Sequence, residues 1–83
     1  MELIWTETVD QDGQAYWTSE IAKGSKRLRF VVLKLDVPLR EREYLVRPTI
    51  DHGYGSIEAN GTYCMTLERA KAAAQRRAAM FGF

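Results

Sequence analysis

The chain has 83 residues, 46% of them hydrophobic and 28% charged, with 12 Lys and Arg against 11 Asp and Glu. That length predicts one domain with a modest core, burying roughly 60% of the surface its unfolded chain exposes, and the apolar fraction argues against a disordered tail. The near balance of charge argues against a strongly basic nucleic-acid clamp, and the longest apolar run, Phe30 to Leu33, is far too short to span a bilayer.

Glu2 to Val9 alternates with period two, Leu3, Trp5 and Val9 on one side and Ile4, Thr6 and Thr8 on the other, which predicts a strand. Asp12-Gly13 signals a hairpin. With a Gln11-Asp12-Gly13 loop and Gly13 in the left-handed region, Val9 faces Ala15 and Leu3 faces Ile21, so both apolar sets share a face. A second turn centred on Gly24-Ser25 sets Ile21 against Leu28, Ser19 against Phe30, Trp17 against Val32, and Glu20 against Arg29 on the opposite face. The meander therefore presents Leu3, Trp5, Trp17, Ile21, Leu28, Phe30 and Val32 inward.

Asp36 to Glu43 breaks the pattern, because Pro38 cannot donate to a ladder and Arg40-Glu41-Arg42-Glu43 has no apolar period; a surface connection is expected there. Tyr44 to Ile50 predicts a fourth strand, confined in its latter half by Pro48 to an edge or a strand end. His52-Gly53-Tyr54-Gly55 is a flexible loop. Asn60-Gly61 is a tight-turn signal, so a short last hairpin or strand is expected to lead from Ser56 through Met65 into the helix.

Thr66 to Phe81 reads as one amphipathic helix. Thr66 is its N-cap, Glu68 suits the positive end of the helix dipole, and Gly82 stops it. At about 100° per residue, Leu67, Ala70, Ala74, Ala78 and Phe81 form one stripe, while Glu68, Ala72, Gln75, Arg76 and Ala79 turn to water. The predicted fold is α+β: an antiparallel sheet of four to five strands with one C-terminal helix packed on one face, in a single domain spanning residues 1–83.

Residues 56–75, Ser-Ile-Glu-Ala-Asn-Gly-Thr-Tyr-Cys-Met-Thr-Leu-Glu-Arg-Ala-Lys-Ala-Ala-Ala-Gln, resemble small phage and prophage accessory proteins in which a tryptophan-bearing antiparallel sheet ends in a helix opening T-L-E-x-A-K-x-A-A. The resemblance covers about a quarter of the chain, and its motif encodes a helix cap and a packing stripe. It implies a protein that binds host machinery, such as an inhibitor of CRISPR interference, acting in the cytoplasm of a bacterial host. The long charged connection at Asp36 to Glu43 departs from that pattern.

The candidate chemistry is thin. His52 is the single histidine, and with Asp51 as orienter it would be a general base, yet no nucleophile accompanies it; a solvated loop residue is the simpler reading. Gly53-x-Gly55 is too short for a phosphate cradle. Cys64, the one cysteine, cannot form an internal disulfide and serves packing, no Cys/His cluster has metal-ligand spacing, and with no signal-peptide pattern at the start a reducing, cytoplasmic setting is expected. Neither enzymatic activity nor a metal or cofactor is expected.

Two binding surfaces compete. Lys23, Lys26, Arg27 and Arg29, with Arg47, would track a phosphate backbone if Tyr16, Tyr44 or Tyr54 stacked on bases, although charges on a hairpin tip also guard a sheet edge. Against that, parity sends Ile4, Tyr16, Val31, Leu33 and Leu35 to the face the helix leaves uncovered. An apolar group there marks a protein interface, with a host protein or a second copy as partner. The expected contact residues are Tyr16, Lys26, Arg27, Arg29, Val31 and Leu33.

Overall fold

The computed structural model describes residues 2–39 and 42–83. Six strands, β1 (Thr6–Val9), β2 (Ala15–Lys23), β3 (Lys26–Leu39), β4 (Arg42–Asp51), β5 (Ser56–Glu58) and β6 (Thr62–Cys64), precede one helix, α1 (Leu67–Met80). They form one antiparallel sheet in the order β1-β2-β3-β4-β5, with β6 also on β4. Among the described residues the architecture is thus the expected α+β sheet with a C-terminal helix on one face, six strands occupying five positions.

Both early turns set the register that the apolar pattern requires. Val9 pairs with Ala15 across a loop in which Asp10 Oδ1 accepts from the N–H groups of Asp12 and Gln14, and Gly13 takes φ +82°. In the second hairpin Ile21 pairs with Leu28, Ser19 with Phe30, Trp17 with Val32 and Glu20 with Arg29. The first strand is shorter than its alternation suggests. Before Thr6 the chain leaves β2, and the Leu3 N–H instead donates to Gln75 Oε1 on the helix at 2.9 Å. Gln75 is therefore half-buried, where helical periodicity turned it to water.

The expected surface connection at Asp36 to Glu43 is largely sheet. β3 runs on through Leu39, which pairs with Arg42, and the ladder slips between Lys34 and Leu39, where residues 35–38 lie opposite residue 43 alone. Pro38 falls inside that slip, so its missing donor removes no ladder bond and the strand continues past it. Arg40 and Glu41 lie outside the described residues.

Pro48 sits mid-strand, fully buried and opposite Phe30. Its carbonyl accepts from the Ala59 N–H at 3.1 Å, and because a residue's N and C=O leave a strand on the same side, the absent donor points away from β3. On that side the edge is irregular. β5 pairs with Thr49 to Asp51 and β6 with Tyr44 to Val46, both running the same way, so residues 59–61 lie opposite Arg47 and Pro48 with one residue to spare. Asn60-Gly61 is thus a bulge in one edge strand, and not the turn of a last hairpin. A Cβ on Gly61 would lie 2.8 Å from Leu45 Cδ1 and 3.2 Å from the Val46 carbonyl oxygen, so close approach selects glycine there.

The helix is written at both ends. Thr66 Oγ1 accepts from the Arg69 N–H at 3.1 Å. At the other end Gly82, at φ +83°, and Phe83 return their N–H groups to the carbonyls of Ala79 and Ala78 in a Schellman closure. Lys23 Nζ reaches the Gly82 carbonyl at 3.0 Å, tying the second hairpin to the helix end. Ala70, Ala74 and Ala78 are buried against Leu28, Phe30, Val32 and Val46, with Trp5, Trp17 and Tyr44 around them, while Ala73 is buried on the side toward β6. Trp17 and Tyr44 meet ring to ring at 5.9 Å.

Two stability outcomes follow. Ala74→Glu forces a carboxylate into this contact and should unfold the domain, seen as loss of the cooperative melt; an unchanged melting temperature would place the helix elsewhere. Ser19 is buried on the inner face and its Oγ has no hydrogen-bond partner among the described residues. Ser19→Ala is expected to stabilise the fold by about 1 kcal/mol in chemical denaturation, since it removes an unpaired polar atom.

Candidate functional site

The face opposite the helix is where sequence parity placed the contact residues, and the ladder brings most of them together. Tyr16 pairs with Leu33, Leu33 with Leu45, and Leu45 with Tyr63, one apolar row across β2, β3, β4 and β6. The next row holds Thr18, Val31 and Arg47. Tyr16, Val31, Leu33 and Leu45 are half-buried by their neighbours, and Tyr63 is 46% exposed. Ile4 is exposed at the margin, on the segment that leaves β2.

Charge on this face is arranged in pairs. Glu20 takes Arg27 on one carboxylate oxygen at 2.9 Å and Arg29 on the other at 3.6 Å, while Glu58 takes Arg47 at 2.6 Å. These side chains are about half exposed, so the pairs contribute little to stability. Their consequence is electrostatic: the three arginines that would follow a phosphate backbone are already engaged by carboxylates, Arg27 and Arg29 sharing Glu20 and Arg47 taking Glu58. Lys23 is turned to the helix end, which leaves Lys26 at the hairpin tip.

Leu45 and Tyr63 complete the row and were not assigned from sequence. Leu45 follows from the parity of its strand once β4 is known to pair with β3. Tyr63 was hidden because Asn60-Gly61 imitates a turn, whereas the bulge sets β6 directly against β4.

The remaining sequence candidates lie apart. Asp51 Oδ1 accepts from the Gly53 N–H at 2.9 Å, so this carboxylate shapes its loop, and the His52 ring lies 6.1 Å from that of Tyr54. Cys64 is half-buried in a groove between β6 and α1. Burial pushes its thiol above the ordinary value of 9.0, and Arg76 and Arg69 partly offset that by favouring the thiolate. No helix among the described residues is long and apolar enough to cross a membrane, and no group of three or more His, Cys, Asp or Glu is placed to hold a metal ion. No protein-family model, curated protein or solved structure matches the chain.

A raised pKa means less thiolate below 9.0, so alkylation of Cys64 at about pH 8 should be slower in the folded protein than in the denatured chain. Arg76→Ala opens the groove yet should slow the reaction further, because it removes a charge that favours the thiolate. Faster reaction in that variant would show that access, and not ionisation, sets the rate.

Proposed function

We propose that the protein acts without chemistry of its own, by occupying a surface of another protein with the outer face of its sheet. The observation that carries this reading is the row Tyr16, Leu33, Leu45 and Tyr63, an apolar centre flanked by ion-paired arginines. Such a centre with a polar rim is what protein interfaces use, aromatic anchors supplying much of the affinity. Lys26 and Arg27 at the margin would steer an acidic partner. The resemblance of residues 56–75 to phage accessory proteins is the ground for taking that partner to be a host complex, such as a CRISPR-Cas complex, and the action to be inhibition or modulation.

The nucleic-acid reading is the alternative, through the basic hairpin from Lys23 to Arg29. The pairing of Arg27, Arg29 and Arg47 with carboxylates weighs against it, because phosphates would have to displace Glu20 and Glu58.

A pull-down from nuclease-treated bacterial lysate at moderate salt tests the choice. A stoichiometric protein retained by the native chain and lost with Tyr16→Ala is expected, the substitution weakening binding by about 2 kcal/mol while leaving the melting temperature nearly unchanged. Combined Lys26→Glu and Arg27→Glu should mainly slow association. Recovery of nucleic acid alone from untreated lysate would overturn the reading, and a Tyr16→Ala variant that melts early but binds normally would move the interface off this face.

A further inference from the structure

A second surface lies at the sheet edge, where the outer-face row ends at Tyr63, and its chemistry differs. Pro48 directs its carbonyl toward Ala59, so by alternation Val46 and Tyr44 direct their backbone groups toward β6 and bond Thr62 and Cys64. Tyr63, between them, therefore turns its N–H and C=O away from β4. Among the described residues no further strand pairs with β6. An open ladder edge of this kind can accept one more strand.

Beside that edge runs a groove of about 410 Å³. Cys64 and Met65 line its strand side, and Arg69, Ala72, Ala73 and Arg76 its helix side. The two alanines keep it open, since a longer side chain at either position would fill the space between helix and strand. The arginines differ from those of the outer face. Neither Arg69 nor Arg76 ion-pairs with a carboxylate among the described residues, and the Arg69 guanidinium rests on the Met65 sulfur at 3.2 Å. Seven residues of helix separate them by about 10 Å along the axis. In an extended peptide, alternate residues lie about 7 Å apart and every fourth about 13 Å apart, a range that flexible arginines bridge.

We propose that this groove binds an extended acidic peptide by strand addition, Tyr63 exchanging backbone hydrogen bonds with it while Arg69 and Arg76 take carboxylates on alternate residues. Main-chain pairing supplies the affinity and the arginines select the charge. Charge also decides the occupant: pairing of β6 with β6 of a second copy would bring two unpaired arginine sets together, whereas an acidic segment neutralises them.

Titration of ¹⁵N-labelled protein with the pentapeptide Glu-Val-Glu-Val-Glu, capped at both ends, tests this. The expected result is saturable shifts at the amides of Tyr63 to Met65, with slowed hydrogen exchange at Tyr63 and little change at Tyr16 or Leu33. A capped Lys-Val-Lys-Val-Lys peptide should give none. Arg69→Glu and Arg76→Glu, both at exposed positions, should each weaken binding by roughly tenfold or more while the melting temperature holds. The proposal is overturned by an absence of shifts up to millimolar peptide, by binding that survives both charge reversals, or by shifts confined to Tyr16, Leu33 and Leu45. Concentration-dependent protection of Tyr63 without peptide would overturn it too, identifying a second copy as the occupant.

Discussion

The fold depends on how closely the backbone of α1 approaches the sheet. Its buried stripe is alanine at positions 70, 73, 74 and 78, so nearly all the volume of the core comes from the sheet side, from Leu28, Phe30, Val32 and Val46. Small side chains on one layer and large ones on the other let two surfaces meet without voids, and a 14-residue helix about 21 Å long covers one face. The other contacts hold that approach in place. Thr66 and Gly82 fix the ends, the Leu3 N–H anchors on Gln75, and Arg77 donates to Thr62 Oγ1 at 3.1 Å while its guanidinium lies 5.5 Å from the Phe81 ring centre.

With one helix spent on one face, the other is left to the side chains of the strands themselves. There the chain pairs each arginine with a glutamate across neighbouring strands and sets an apolar row beside them, giving a surface that is nearly neutral and partly apolar. At the β6 edge the opposite holds, since Arg69 and Arg76 have no carboxylate partner among the described residues. A chain with a formal net charge of +1 therefore carries two surfaces of distinct character, one nearly neutral and partly apolar and one basic.

Much of the sheet was legible because its first three strands are joined by short turns with strong signals. Asp12-Gly13 and Gly24-Ser25 each allow one register that puts the tryptophans, Ile21 and Phe30 on a common face, and the ladder has that register. The helix was legible for the same reason, its caps being local. What was not legible is non-local. The extension of β3 past Lys34 and the mid-strand place of Pro48 depend on which side of a strand has a partner, which no single segment encodes. Asn60-Gly61 has the composition of a turn, and its role as a bulge comes from β4 lying beside both flanks. Gln75 was read as solvated because helical periodicity cannot foresee that the chain before Thr6 bends over the helix. Half the apolar row, Tyr16 and Leu33, was visible from strand parity; Leu45 and Tyr63 needed the later pairings.

The most direct test of a sheet covered on one face alone is methyl NMR of the free protein with a soluble paramagnetic co-solute. Methyl groups of Val31, Leu33 and Leu45 should relax markedly faster as the co-solute is added, while those of Leu28, Val32 and Val46 stay protected, so that accessibility alternates along β3 and β4. Equal protection of both sets would show that a further element covers the outer face, and a reversed alternation would contradict the register on which the whole account rests.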